Sequence, residues 1–214
     1  MLHDKQLCGI LLDESRRPNV LQCGGRVHCA LEGLKIMRIM LLVIVVAILV
    51  LLGVRMLSGS HEALIEAGSV APDFTLPSQE RTLVSLKDYR GSWVVLYFYP
   101  KDMTPGCTRE AHNFQADQAK YSERHAVVLG VSVDNVDSHK KFCSKEGLNF
   151  KLLADSDGSV SRAYGSLTNL GVVKFARRNT FLIDPSGKIA KAYTSVDPAR
   201  HSGEVLAALD EMAR

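Results

Sequence analysis

The residues best suited to chemistry lie in one short segment from Pro100 to Cys107, which reads Pro-Lys-Asp-Met-Thr-Pro-Gly-Cys. It follows an apolar and aromatic run, Trp93 to Tyr99, of the kind that forms a central strand buried on both faces. Thr104, followed by Pro and Gly, predicts a helix start with a hydroxyl residue at the cap and Pro at the first helical position. Cys107 then falls in the first turn, where unpaired N–H groups and the helix dipole favour a thiolate.

Most cysteines in folded proteins are small buried hydrophobic residues, and Cys107 has that ordinary alternative. A cysteine that only fills the core does not need Thr, Pro and Gly in front of it. The segment therefore favours a nucleophile over a packing residue.

Pro100, Thr104 and Cys107, spaced P-x-x-x-T-x-x-C, resemble the active-site signature of the peroxiredoxins. The longer string from Phe98 to Thr108 is similar to that of the bacterioferritin-comigratory, or Q-type, branch. The resemblance implies an α/β thioredoxin-like peroxiredoxin fold and a thiol-dependent peroxidase in antioxidant defence. Such an enzyme reduces hydrogen peroxide and organic hydroperoxides through a cysteine sulfenic acid, and thioredoxin or a similar thiol donor recycles it. No cofactor is expected.

Peroxide reduction by a thiol requires a thiolate, donors that hold both peroxide oxygens in line, and stabilisation of the oxygen that leaves. Cys107 supplies the thiolate. The Thr104 hydroxyl, three residues earlier, can reach the sulfur and the attacked oxygen, and it can also cap the helix. The N–H groups of Gly106 and Cys107 add donors at the helix start. Pro100, as part of the signature, is expected to line the substrate site.

The permanent cation must come from a distant part of the sequence. In family members an arginine stands three residues before the Phe of a later strand, which identifies Arg178 here, three residues before Phe181. A guanidinium presents a rigid fork of donors that suits a thiolate and a developing oxyanion, and Arg177 is expected to be a solvated neighbour. Glu110, about one helical turn after Cys107, matches an acidic position in many relatives. It either orients the arginine or is a surface charge.

A sulfenic acid must meet a second thiol before it can be recycled. Many Q-type members carry a resolving cysteine five residues after the nucleophile, where this chain has His112. Cys143 remains, on a helix predicted from Ser138 to Glu146, and a minority of the branch resolves through this helix. Two interpretations stay open: Cys143 resolves the sulfenic acid, or it is a partly buried residue of a one-cysteine enzyme.

Strands alternate with helices along the rest of the domain, which predicts a mixed β-sheet flanked by helices. The predicted elements are short strands in 71–77 and 82–85, a helical turn over 86–89, a helix that starts at Thr104–Pro105 and continues over 108–124, strands over 126–132, 150–153 and 180–183, a turn at 184–187, a hairpin strand over 188–193 and a helix over 203–212.

The net charge of +3 lies entirely in the first 60 residues, because residues 61–214 hold 19 basic and 19 acidic side chains. A neutral globular part gives no reason to expect a nucleic-acid partner. The five cysteines form neither a disulfide framework nor a cluster with zinc spacing, so no metal site is expected. The catalytic domain is expected to be monomeric.

Ile39 to Val54 contains sixteen residues without a charge. The span 36–57 is long enough to cross a bilayer if the arginines near its ends extend outward, and the basic residues before it place the N-terminus in the cytoplasm. We therefore predict a transmembrane signal-anchor helix over 36–57, a linker over 58–69 and the peroxiredoxin domain over 70–214. The protein would be a single-pass inner-membrane protein whose catalytic domain faces the periplasm or the cell exterior.

Residues 1–35 fit no pattern, although they hold Cys8, Cys23 and Cys29. They are predicted to be a disordered tail, or an over-extended start whose real initiator is Met37 or Met40.

Two other functions would suit a membrane-tethered thioredoxin-like domain. A thiol–disulfide oxidoreductase needs C-x-x-C, which this chain lacks. A copper-binding protein could use Cys107, His112 and Cys143, but it would usually have two cysteines close together in the active loop. The peroxidase is therefore favoured.

Overall fold

The computed structural model of the chain describes residues 37–52 and 65–212. Packing divides the chain into two units, Met1–Ser58 and Gly59–Arg214. The predicted tail over 1–35, with its three cysteines, lies outside the described residues.

In the first unit a helix, α1, covers residues 37–52. Within the two described ranges, no helix has both the length and the apolar character that crossing a membrane requires. The predicted single-pass inner-membrane location is therefore wrong, and no described helix supports the predicted anchor. Residue 36 and residues 53–57 of that prediction lie outside the described ranges.

The second unit is built on a five-stranded mixed sheet whose central strand is the apolar and aromatic run that begins at Trp93. Its strands, in spatial order, are β5 (Lys151–Ala154), β4 (Ala126–Ser132), β3 (Trp93–Phe98), β8 (Asn179–Ile183) and β9 (Ile189–Thr194). β3 pairs in parallel with β4 and antiparallel with β8, as the prediction of a mixed sheet requires. Two small antiparallel pairs accompany it: β1 (Thr75–Pro77) with β2 (Leu83–Ser85), and β6 (Leu167–Asn169) with β7 (Lys174–Ala176).

The helices of this unit are α2 (Pro105–Ala116), α3 (Gln118–Glu123), α4 (Val136–Glu146), α5 (Ser159–Ala163), α6 (His201–Met212) and a 3-10 turn at Leu86–Tyr89. The single helix predicted over 108–124 is two helices, because the chain leaves helical geometry at Asp117. α4 begins two residues earlier than predicted, since the Asn135 side chain accepts the Ser138 N–H and caps it. α5, β6 and β7 were not predicted, because three to five residues show no usable periodicity.

Side chains of β3 alternate between two layers of core, which explains why its sequence is apolar throughout. Val95 and Tyr97 point into the layer that holds both Cys107 and Cys143. Val94, Leu96 and Phe98 pack on the opposite face of the sheet. The two cysteines of the described domain therefore share one hydrophobic layer on one side of the sheet.

Candidate active site

Cys107 is the third residue of α2 and is 1 % exposed. The first turn forms as predicted, with Thr104 at the N-cap position and Pro105 following it. The Thr108 N–H donates to the Thr104 carbonyl at 2.9 Å, and this is the first hydrogen bond of the helix. The N–H groups of Gly106 and Cys107 therefore have no carbonyl partner within the helix and point towards its N-terminal end.

Thr104 occupies the cap with extended backbone, but its side chain makes no capping bond. Its hydroxyl donates instead to the Lys101 carbonyl at 3.0 Å, across the loop that joins β3 to α2. A hydroxyl that has used its proton in this way keeps its lone pairs to accept a hydrogen bond. Pro100, where the loop starts, is half-buried.

Arg178, directly before β8, is distant from α2 in the sequence but contacts both Cys107 and Glu110 of that helix. Its Nη2 donates to the Cys107 Sγ at 3.3 Å, and its Nη1 donates to the Glu110 carboxylate. Glu110 is 1 % exposed, which excludes the alternative of a surface charge. A Cβ added at Gly106 would lie 3.3 Å from Arg178 Nη2, so glycine leaves room for the guanidinium beside the sulfur.

The ion pair of Arg178 with Glu110 is buried, so both charged groups lose hydration. Burial raises the pKa of Glu110 to about 7, against the opposing effect of Arg178. Burial acts to lower the pKa of Arg178, but the charges of Glu110 and Cys107 outweigh it and the pKa is raised. The guanidinium therefore stays charged beside the sulfur.

Arg177 is not the solvated neighbour that was predicted. It is half-buried, and its Nη2 donates to the Leu167 carbonyl at 3.3 Å, which ties the start of β8 to β6. The side chains of the two consecutive arginines therefore bind different groups, and of the two only Arg178 contacts the cysteine.

Cys143 lies in the second half of α4, in the same core layer as Cys107, and is 8 % exposed. Burial, followed by the nearby charges of Asp102 and Glu80, raises the pKa of Cys143 to about 12. Both Cys107 and Cys143 are free thiols in the structure.

A buried polar cluster that was not predicted from the sequence lies next to the site. Asp102 accepts hydrogen bonds from the Tyr99 hydroxyl at 2.7 Å and from His139 Nδ1 at 2.9 Å. Burial acts to raise the pKa of Asp102, but the hydrogen bond and charge of His139 hold it below its ordinary value. Asp102 lies within the signature segment, and His139 precedes Cys143 by four residues, a spacing that could have indicated a shared helix face.

Over residues 37–52 and 65–212, no three His, Cys, Asp or Glu side chains are grouped so that they could hold a metal ion. His112, which the copper hypothesis used, has its Nε2 3.1 Å from the carboxylate of Glu146.

The chain is similar in sequence to known proteins. The AhpC/TSA family pattern matches residues 67–192. A putative peroxiredoxin bcp of Coxiella burnetii is 43% identical over 149 residues, covering 68% of this chain and 99% of the relative. Peroxiredoxin Bcp of Bacillus subtilis is 40% identical over 153 residues, covering 70% and 98%.

Solved structures are similar as well. The bacterioferritin comigratory protein of Xanthomonas campestris, whose structure concerns alkyl peroxide reduction and a trapped intermediate, has a TM-score of 0.64 and 37% identity. The match covers 70% of this chain and all of that one. Further structures of the peroxiredoxin Q of that organism carry mutations of two cysteines that are 36 positions apart.

A thioredoxin-like α/β sheet with a buried cysteine at a helix N-terminus beside an arginine defines a thiol-based oxidoreductase. Within that class, the chain belongs to the AhpC/TSA family, in the Bcp and Q-type branch of the peroxiredoxins, and is a thiol-dependent peroxidase.

Proposed function

We propose that Cys107 is the peroxidatic nucleophile and that Thr104, Arg178 and the N–H groups of Gly106 and Cys107 bind the peroxide. The observation that carries the proposal is the 3.3 Å contact between Arg178 Nη2 and the Cys107 sulfur, at the positive end of α2. A fixed guanidinium and a helix N-terminus both stabilise the negative charge that the reaction places on the sulfur and on the departing oxygen.

In the first step, the Cys107 thiolate attacks the nearer oxygen of a hydroperoxide. The S–O bond forms as the O–O bond breaks, so the sulfur is oxidised to a sulfenic acid and the peroxide is reduced. The departing oxygen leaves as RO⁻ and takes up a proton to give an alcohol, or water from hydrogen peroxide. Thr104 accepts a hydrogen bond from the peroxide through its free lone pairs, and Arg178 stabilises the developing negative charge. Pro100, which follows β3 and is half-buried, is proposed to line the peroxide site.

Glu110 orients Arg178 in this proposal. The carboxylate holds Nη1, so the second nitrogen of the fork is directed at the Cys107 sulfur. Glu110 does not touch the peroxide and therefore acts as a positioning residue.

In the second step, the Cys143 thiol attacks the sulfenic acid of Cys107. The S–S bond forms, the S–O bond breaks, and the hydroxyl leaves as water after taking the thiol proton. Cys107 and Cys143 are 36 positions apart, the same separation as the two mutated cysteines of the Xanthomonas campestris peroxiredoxin Q. That agreement favours resolution within one chain over a one-cysteine enzyme.

A thiol donor such as thioredoxin then reduces the disulfide and regenerates both thiols. Organic hydroperoxides and hydrogen peroxide are the proposed substrates, and the alkyl peroxide activity named for the Xanthomonas campestris relative supports the former.

Stopped-flow measurement of peroxide consumption by the full chain tests the assignment. Cys107→Ser should abolish consumption, whereas Cys143→Ser should keep the first turnover and form no intramolecular disulfide. Peptide mapping after one equivalent of peroxide should show a Cys107–Cys143 crosslink in the unmodified chain. A Cys107→Ser protein that consumes peroxide at the normal rate would refute the nucleophile, and an alkylatable Cys143 after oxidation would refute the resolving role.

A further inference from the structure

The buried cluster of Tyr99, Asp102 and His139 joins the two parts of the proposed reaction. Asp102 lies in the loop between β3 and α2, two residues before Thr104. His139 lies in α4, four residues before Cys143, and therefore on the same face of that helix. A single hydrogen-bonded contact thus spans from the peroxide-binding loop to the helix that carries the second thiol.

The contact is closed to solvent on both sides. The side chains of His139 and Asp102 are 0% and 1% exposed, and the Nδ1 to Oδ2 distance is 2.9 Å. The Tyr99 hydroxyl donates to Asp102 Oδ1 and lies 3.3 Å from His139 Nδ1. The Asp102 N–H also donates to the carboxylate of Asp134 at 2.9 Å, which holds the loop backbone.

His139 Nε2, by contrast, is buried without a hydrogen-bond partner among the described residues. The imidazole is therefore held in place through one nitrogen only, by Asp102 and Tyr99. Losing the hydrogen bonds of Nδ1 would leave both ring nitrogens buried and unsatisfied, which is costly.

We propose that the Asp102–His139 contact is a latch that keeps α4 folded during peroxide reduction and sets the rate at which Cys143 reaches the sulfenic acid. The inference rests on the proposed resolving role of Cys143. Two free thiols on separate helices must come within bonding distance, which requires local opening of α4, of the first turn of α2, or of both. Opening α4 at Cys143 removes His139 from Asp102, because only one helical turn separates them.

Two functions follow for His139 and Asp102 as positioning residues. The closed latch holds the loop that presents Thr104, and so supports the first step. It also keeps the open form of α4 rare, and so delays the second step, because the rate of disulfide formation scales with the population of that form. Weakening the latch should therefore slow the first step slightly and accelerate the second.

A competition experiment on the full chain measures this balance. After the first turnover, the sulfenic acid either forms the disulfide or reacts with a second peroxide to give sulfinic acid. Mass spectrometry gives the hydrogen peroxide concentration at which half of Cys107 becomes sulfinic acid. Stopped-flow fluorescence gives the rates of the two steps separately.

We expect that His139→Leu raises the half-point concentration by about tenfold, as the loss of a charge-assisted hydrogen bond implies. His139→Asn, which retains a donor near the Nδ1 position, should restore part of the normal value. Tyr99→Phe deletes a single hydroxyl and should raise the half-point about threefold. Because it preserves the aromatic packing, this variant decides the question if His139→Leu does not fold.

Two controls separate the latch from general loss of stability. Lys87→Gln breaks an exposed ion pair with Asp73, away from α4, and Ile189→Ala creates a cavity in the core layer on the opposite face of the sheet. Both should leave the half-point unchanged. If His139→Leu and Tyr99→Phe also leave the half-point unchanged while the disulfide still forms, the latch is refuted and the resolving role of Cys143 stands. If the unmodified chain forms no disulfide, the resolving role of Cys143 fails and the latch fails with it.

Discussion

Cys107 and Cys143 are both buried in one hydrophobic layer, yet their surroundings have opposite electrostatic character. Cys107 lies in the first turn of α2 with the Arg178 guanidinium 3.3 Å from its sulfur. Cys143 lies well inside α4, where burial and then the charges of Asp102 and Glu80 raise its pKa to about 12. Burial alone therefore does not determine how reactive a cysteine is. The sign of the nearest charges and the position along the helix determine it.

This contrast suits the two proposed steps. The first step needs a nucleophile that is ionised before the substrate arrives. The second needs a thiol that stays inert until the sulfenic acid exists and α4 opens. A protonated Cys143 in a closed helix neither consumes oxidant nor forms a premature disulfide.

The largest expected difference between the two regions is in thiol alkylation. At pH 7 in the native protein, iodoacetamide should modify Cys107 at least about a thousandfold faster than Cys143, because only the thiolate reacts and burial raises the pKa of Cys143 to about 12. In concentrated urea the two rates should converge, since the difference comes from the fold. Peptide mapping over time measures both rates, and equal native rates would remove the basis of the comparison.

The next largest effect concerns Arg178. Arg178→Lys keeps a positive charge but loses the fork that bonds the sulfur and Glu110 together, so the rate of the first step should fall about 10- to 100-fold. Arg177→Lys is the matched control, because the Arg177 side chain donates to a carbonyl of β6 and not to the sulfur. Stopped-flow peroxide consumption measures both. A silent Arg178→Lys together with a damaging Arg177→Lys would reverse the assignment.

Glu110→Gln should change how stability depends on pH. Burial raises the pKa of Glu110 from 4.5 to about 7, so the folded state holds the proton more tightly than the unfolded chain. The stabilisation of the folded state by this proton is fully present below about pH 4.5 and is lost as the pH rises through about 7. Between pH 4 and pH 8 the unmodified chain should lose up to about 3 kcal/mol relative to the variant. Urea unfolding at several pH values measures this difference.

The comparison with the variant is necessary because His201 titrates in the same range with the opposite sign. Burial, and to a smaller extent the charge of Arg178, lowers the pKa of His201 from 6.5 to about 4. The stability that neutral His201 gives the folded state is therefore lost as the pH falls from about 6.5 through about 4. Glu123→Gln, on the exposed surface of α3, serves as the control and should leave the profile unchanged. A Glu110→Gln profile parallel to that of the unmodified chain would contradict the prediction.

The smallest expected effect is that of Gly106→Ala. The new Cβ would lie 3.3 Å from the Arg178 nitrogen that contacts the sulfur, so the guanidinium must shift by a few tenths of an ångström. The first step should slow about two- to fivefold while thermal stability is kept, because Ala favours a helix. Gly203→Ala in α6 meets no atom within 4 Å and should raise stability without changing the rate.

Much of the fold could be predicted because its signals are local. The limits of β4, the 3-10 turn at 86–89 and the start of α2 agree with the predictions, since each is marked by an apolar run or by Pro and Gly. The division between α2 and α3 at Asp117 was missed, because neither Gly nor Pro interrupts that stretch. The anchor was predicted from an apolar run and the basic residues around it, and no helix among the described residues has the length and apolar character that crossing a membrane requires.

The position of Cys107 at a helix start was already decided by the chain itself, because its signals lie within eight consecutive residues and act through backbone geometry. Which arginine contacts the sulfur, whether Glu110 is buried, and what holds α4 near the loop were decided only by tertiary structure. These contacts join residues 37 to 71 positions apart, such as Asp102 with His139 and Cys107 with Arg178. Such contacts depend on how the sheet and helices pack, and no local pattern specifies them before that packing forms.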